Sequence, residues 1–180
     1  MDKLYGEKFK NLILYILAND DYRDSGIKKL NKILYFIDFY FYRDNESLIS
    51  GMRYAKADMG PIIDNYKNIF SQMVEDGLLE QLKISGVIYH KPKEEPDISC
   101  FSAQEIDHIH NILEKYGRLS SAELEGISHC QQPWVLTEHM GEIIDPDLAL
   151  LIGASEEGEE GIVENEELKD ELTKLASSVS

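Results

Sequence analysis

Ser128 and His129 are the residues whose types could do chemistry together, because a hydroxyl and an imidazole can act as nucleophile and base. Such catalysis also needs an acid that orients the imidazole, and adjacency in sequence does not place a hydroxyl against a ring. We therefore favour a structural role, in which His129 lies at the end of a short helix and Trp134 packs beneath it. A hydrolase that uses His129 is kept as an alternative.

Residues that bind metals are present, but not in a pattern that would hold a metal. His108 and His110 are two residues apart on a predicted helix, so they face different sides. Cys100 and Cys130 lack the spacing of metal ligands and are interpreted as free thiols in a reducing compartment. No paired carboxylates and no nucleotide-binding fingerprint stand out. The sequence therefore predicts no metal, no cofactor and no enzymatic activity.

Two further segments combine unusual residue types. The run 29–32, Lys-Leu-Asn-Lys, could be a basic contact patch for an acidic partner, but we interpret it as the solvated first turns of a helix. Gly60–Pro61 is expected to set backbone geometry, because glycine permits a costly dihedral and proline fixes the next one. A phosphate-binding loop would need further glycines and a lysine that are missing here.

The order and spacing of three segments resemble the SocA-like antitoxin domain, also called Panacea, of bacterial and phage toxin–antitoxin loci. The resemblance spans roughly residues 8 to 145. The residues that carry it are Lys29, Leu30, Lys32, Tyr35 and Phe36, then Tyr54, Gly60 and Pro61, then His129, Pro133 and Trp134. Ala57 and Met59 stand where the family usually has aromatic residues. We therefore expect the contacts with a partner to differ from the family pattern more than the fold does.

This resemblance implies a mostly helical fold and a protein that neutralises a cognate protein toxin by direct binding. In one branch of the family it also implies delivery of the toxin to a bacterial ATP-dependent protease. The toxins paired with this domain are chemically diverse, so the resemblance does not identify the target.

Hydrophobic periodicity independently predicts a mainly α (α+β) fold, with a small β-hairpin or three-stranded element. The most apolar predicted helix, Ile27–Tyr42, should be central, with Ile33, Leu34 and Ile37 nearly fully buried. Asp38 within it would then need a partner or water. The other predicted helices are Leu4–Asn19, Ile62–Asp76, Ala103–Tyr116, Ser120 to about His129, Pro133–Met140 and a last turn or two at Pro146–Ile152.

The predicted β-structure is a strand over Leu48–Asp58 and a hairpin of Leu78–Lys83 with Val87–Lys91. The hairpin, a helix, a turn at Gly117 and a second helix follow in the order of a winged or helix-turn-helix module. A helix that reads DNA would offer Arg, Lys, Asn or Gln to the groove, but this one offers glutamates. The alternative function is therefore a winged-helix-like transcriptional regulator with weak DNA contact through residues 28–32.

The net charge of −16 is concentrated in the second half of the chain. Residues 1–92 hold 13 basic and 13 acidic side chains, whereas residues 93–180 hold 5 and 21. The negative electrostatic field of the second half repels phosphate backbones and disfavours binding of nucleic acid. We divide the chain into a SocA-like domain, residues 1–153, and an acidic tail, residues 154–180, which we expect to be mobile when free.

The cellular location of the protein is also predicted from its sequence. The sequence has no apolar run of membrane-spanning length and no secretory signal at its start, so we expect a cytoplasmic protein without a membrane partner.

Overall fold

A computed structural model describes residues 3–23 and 26–153, and the predicted acidic tail lies outside these ranges. The described helices are α1 (Glu7–Ala18), α2 (Ile27–Asn45), α3 (Tyr66–Glu75), α4 (Ala103–Tyr116), α5 (Ser121–His129) and α6 (Gln132–Leu136), with short 3-10 helices at Ile98–Cys100 and Pro146–Leu151. The strands are β1 (Tyr54–Ala55), β2 (Ile62–Ile63), β3 (Leu79–Ile84) and β4 (Val87–Pro92). The predicted fold, mainly α with a small β component, is confirmed.

Helix α2 is the centre of the structure. It contacts α4, α5, β2, β4 and the Pro146–Leu151 helix. Ile33, Leu34 and Ile37 have no exposed surface, as predicted from the apolar residues on all sides of this helix. Full burial of each such side chain contributes roughly 1.5–3 kcal/mol, so α2 anchors the elements around it.

Helix α1 is buried on more than one side, because Leu14, which lies outside its main apolar face, also has no exposed surface. Phe9, Leu12, Ile13 and Ile16 are fully buried, at the spacing of an amphipathic helix. The helix begins at Glu7, three residues later than predicted, because Gly6 has an extended backbone with φ −89° and ψ 169°.

The predicted strand over residues 48–58 is mostly wrong. Only Tyr54–Ala55 is a strand, and it pairs antiparallel with Ile62–Ile63. The predicted helix Ile62–Asp76 starts too early, because Ile62 and Ile63 form β2 and α3 begins only at Tyr66. The backbone after Pro61 is held extended by its pairing with β1 and by the side-chain oxygen of Asn31, which accepts a hydrogen bond of 2.9 Å from the Ile63 amide.

The second β unit agrees with the predicted hairpin. Strands β3 and β4 pair from Leu79 with Pro92 to Ile84 with Val87. Ser85 and Gly86 form the turn with φ of 50° and 82°, the backbone that a tight two-residue hairpin needs. The described chain thus has two separate two-stranded sheets instead of one three-stranded element.

Capping boxes fix the starts of α4 and α5. Ser102 accepts from the Glu105 amide and Ser120 from the Glu123 amide, and each glutamate bonds back to the cap amide. Helix α6 is shorter than predicted, since the backbone turns extended at Thr137. None of the helices in the described part of the chain has the length and apolar character to cross a membrane.

Candidate functional site

Three of the motif segments meet beneath the turn at Gly60. Lys32 from α2 and Ser128 from α5 both approach this glycine, which has φ of +94°. A Cβ added at residue 60 would lie 2.7 Å from the Ser128 hydroxyl and 3.3 Å from Cε of Lys32. Glycine is therefore required here for two reasons, its dihedral and the close approach of its neighbours.

Lys32 is buried without a close anion. Its side chain is 1% exposed, and it makes no hydrogen bond or ion pair with the part of the chain that the structure describes. Burial is the main cause that lowers the pKa of its ammonium; the charge of Glu125 raises this pKa and the charge of Lys28 lowers it further. The interpretation of residues 29–32 as solvated first turns is thus wrong, because Lys32 points inward to the Gly60 turn.

Lys29 is also buried, and it connects α2 to the end of α4. Its ammonium donates to the backbone carbonyl of Gly117 at 2.7 Å and to that of Arg23. A lysine at a helix C-terminus satisfies carbonyls that have no partner within the helix. This lysine is therefore part of the architecture of the α4–α5 turn.

His129 and Trp134 form an aromatic stack, as the sequence predicted. Their ring centroids are 4.0 Å apart at an interplanar angle of 23°. The Trp134 indole donates to the Ala57 carbonyl at 3.2 Å, which attaches α6 to the segment before Gly60. Nε2 of His129 is buried and has no hydrogen-bond partner among the residues described. The imidazole stabilises this site by stacking, and no hydrogen bond from it caps α5.

Lys56 is a member of this cluster that the sequence did not indicate. Its ammonium lies 4.3 Å from the centre of the Trp134 ring and donates to the Thr137 carbonyl at 2.6 Å. A cation over an indole face is attracted by the ring quadrupole, more strongly where water is excluded. Only 8% of Lys56 is exposed, so the contact is mostly desolvated. Nothing in the local spacing around residue 56 distinguishes it from a surface lysine.

The aromatic motif residues form the core around Asp38. Tyr54 donates to the Asp38 carboxylate at 2.6 Å, the Ser50 amide donates at 2.8 Å, and the Ser50 hydroxyl is a third donor. Burial raises the pKa of Asp38, and these donors oppose the shift. Tyr35 packs edge-on against Tyr54 at 5.9 Å. The expected partner of the buried carboxylate is thus found.

The remaining motif residues are also buried. Leu30 and Phe36 have no exposed surface, and Phe36 stacks on Tyr116 with centroids 4.9 Å apart. Pro61 lies buried directly before β2, and Pro133 is the buried second residue of α6. Every motif residue therefore has a packing role, and Trp134, half-buried, is the most accessible aromatic among them.

Ser128 and His129 are not paired as nucleophile and base. The Ser128 hydroxyl donates to the Glu125 carbonyl at 2.9 Å and makes no hydrogen bond with the His129 ring. His108 bonds to the Ile37 carbonyl at 2.9 Å, so this ring is used in packing α4 onto α2. In residues 3–23 and 26–153, no group of three or more His, Cys, Asp or Glu is placed to hold a metal ion. Cys100 and Cys130 are free thiols.

The chain is similar to a known protein family. The family described as antitoxin SocA-like, Panacea domain, matches residues 30–135. The chain belongs to this family. The match begins within the motif of α2 and ends in α6, so it includes the Gly60 turn and the His129–Trp134 stack. No curated protein and no solved structure matches the chain.

Within the SocA-like domain the motifs thus converge from distant parts of the chain. Lys32, Gly60 and Ser128 form one contact group, and His129, Trp134 and Lys56 form the adjacent one. The sequence identified five of these residues as motif positions or neighbours. It did not show that two lysines would be desolvated, because that burial depends on chain segments far away in sequence.

Proposed function

We propose that this protein is an antitoxin that neutralises a cognate protein toxin by binding it directly. The observation that carries the proposal is the match of the SocA-like, Panacea family to residues 30–135. Supporting it, the motif residues pack the fold, and the Ser128 hydroxyl donates to the Glu125 carbonyl instead of the His129 ring. This arrangement therefore favours binding of a partner without a chemical reaction. We also propose that the protein is cytoplasmic.

Co-expression tests this proposal. The product of the adjacent reading frame is expressed in a bacterial host with and without this protein. We expect it to arrest growth alone, to be harmless in the pair, and to co-purify with this chain. A neighbour that is harmless alone and forms no complex contradicts the proposal.

Delivery of the toxin to an ATP-dependent protease is a further part of this proposal. Its basis is the branch of the family that works in this way. The toxin should disappear faster in cells that contain both this protein and an active protease. An unchanged toxin half-life after the protease gene is deleted would restrict the protein to inhibition by binding.

The DNA-binding alternative has less support. Hairpin, α4 and α5 do follow in the order of a winged helix, but Lys29 and Lys32 are buried, which leaves Lys28 as the exposed lysine of residues 28–32. Contact of phosphates by this end would need exposed cations. A DNA mobility shift that weakens with salt would favour this alternative.

A further inference from the structure

The chain from α6 to the Pro146–Leu151 helix exposes a concentration of apolar side chains. They are between 39% and 55% exposed, and we name them the 135–151 apolar patch: Val135, Leu136, Met140, Ile143, Leu150 and Leu151. The other large apolar residues that are exposed in the described ranges are spread from Leu4 to Ile98. Single exposed apolar residues are normal, whereas a contiguous exposed apolar patch indicates an interaction surface. The two ends of this stretch are neighbours in space, because α6 packs against the Pro146–Leu151 helix.

The backbone beneath this patch is well anchored. Helix α6 packs against the Pro146–Leu151 helix, and Pro133, Thr137 and Ala149 from these parts are buried. Between them, the Gly141 amide donates to the Lys56 carbonyl and the Ile144 amide to the Tyr54 carbonyl, both at 2.8 Å. The apolar side chains are therefore presented on an ordered surface, which lowers the entropy lost on binding.

Negative charges lie between the apolar residues. Glu138, Glu142, Asp145 and Asp147 are exposed within the same stretch. Residues 119–153 contain no lysine and no arginine. An apolar surface with an acidic border repels phosphate and anionic lipid, and it attracts a cationic protein surface.

We propose that the 135–151 apolar patch is where the toxin docks, and that the toxin presents apolar side chains surrounded by Lys and Arg. This inference rests on the proposed antitoxin function and adds to it the surface and the chemistry of the partner. Apolar contact at the centre excludes water and provides affinity, while the acidic border speeds encounter and fixes orientation.

Matched charge insertions test the proposal. Val135→Glu and Leu150→Glu place a carboxylate in the patch, and Ile84→Glu and Ile98→Glu place one at apolar residues of similar exposure elsewhere. The probe is the toxin whose growth arrest the wild-type protein relieves. Melting curves first confirm that each variant is folded. We expect the patch variants to bind this toxin at least tenfold more weakly and the control variants to bind it as wild type does.

A second pair of variants tests the cationic partner. Glu138→Lys inverts a charge beside the patch, and Glu80→Lys inverts an exposed charge on β3. We expect Glu138→Lys to slow association with the toxin and to reduce its dependence on salt, and Glu80→Lys to do neither.

The outcomes separate the two proposals. If wild type relieves toxicity and the patch variants bind as well as the controls, the docking surface is refuted and the antitoxin function stands. If wild type relieves no toxicity, the antitoxin function fails and the docking proposal fails with it. If wild type forms a dimer and Leu150→Glu dissociates it, the patch binds a second copy of this chain instead of the toxin.

Discussion

Replacing Gly60 by alanine tests whether this motif glycine is required for geometry. The substitution brings two separate costs. The backbone has φ of +94°, a conformation that residues with a Cβ rarely adopt. The new methyl group would also lie 2.7 Å from the buried Ser128 hydroxyl.

The size of the effect follows from these two terms. The dihedral costs about 1–3 kcal/mol, partly offset by about 0.4–1 kcal/mol because alanine restricts the unfolded chain. Overpacking adds about 1–3 kcal/mol. This figure includes the loss of the 2.9 Å hydrogen bond from the Ser128 hydroxyl to the Glu125 carbonyl, if the new methyl group displaces the hydroxyl. We expect Gly60→Ala to lower the free energy of unfolding by about 3–4 kcal/mol.

Two controls separate the dihedral from the contact. Gly51 has φ of +69°, and a Cβ added there would meet nothing within 4 Å, so Gly51→Ala should cost only about 1–2 kcal/mol. Ser128→Ala removes the atom that the new methyl group would meet. In a double-mutant cycle it should recover about 1–2 kcal/mol of the Gly60→Ala cost.

Urea denaturation with linear extrapolation measures all four variants. Equal losses for Gly60→Ala and Gly51→Ala would show that the contact with Ser128 carries no energy. Additive losses for Gly60→Ala and Ser128→Ala would show the same by an independent route. Either result refutes the reasoning that Gly60 is needed because Lys32 and Ser128 approach it closely.

Four further predictions use the same denaturation assay. Leu34→Ala should cost about 2–5 kcal/mol because Leu34 has no exposed surface, and a cost near zero would contradict its core position. Trp134→Ala should cost about 3 kcal/mol, since the ring is only half-buried, and loss of toxin binding at unchanged stability would make it an interface residue. Burial raises the pKa of Asp38, so folding is favoured when this carboxyl group is protonated. The stability of wild type relative to Asp38→Asn should therefore fall as pH rises above about 4. The same pH dependence in both proteins would contradict this. Burial lowers the pKa of Lys32, so wild-type stability should rise with pH toward about 10. Lys32→Met should lack this rise and be more stable than wild type at neutral pH, and a less stable variant would refute the prediction.

The helices were predictable because their signals are local. Ser102 and Ser120 with their glutamates mark the starts of α4 and α5, and the apolar spacing of α1 and α2 marks their buried faces. The hairpin turn at Ser85–Gly86 is local in the same sense. Each of these features needs only a few neighbouring residues to form.

The errors concern features that distant residues determine. Residues 48–58 have strand-like composition, but only Tyr54–Ala55 finds pairing partners, Ile62–Ile63 on one side and Ile143 on the other. Pro61 is a common helix start, but here the Asn31 side chain and β1 hold the next residues extended. The composition of a segment cannot show which of its backbone groups will be paired from elsewhere.

The lysines of α2 show the same limit at the candidate site. Lys29 and Lys32 have the side chains of a solvated helical turn, and their burial follows from the carbonyl of Gly117 and the turn at Gly60. Lys56 gives no local signal at all, because the indole beneath it comes from Trp134. Spacing identified the motif positions, but the tertiary contacts determine what those residues do.

The positions of the motifs and of the proposed docking surface suggest how one fold can serve different partners. The family match covers residues 30–135, and the motif residues within it are used to pack α2, α5, α6 and the Gly60 turn together. Most of the 135–151 apolar patch lies beyond that match, on chain that is hydrogen-bonded to Tyr54 and Lys56. Residues that hold the fold are constrained by their close contacts, whereas exposed residues on an anchored backbone can change without loss of packing. A domain built in this way can keep its scaffold while its partner-facing surface follows a chemically different toxin.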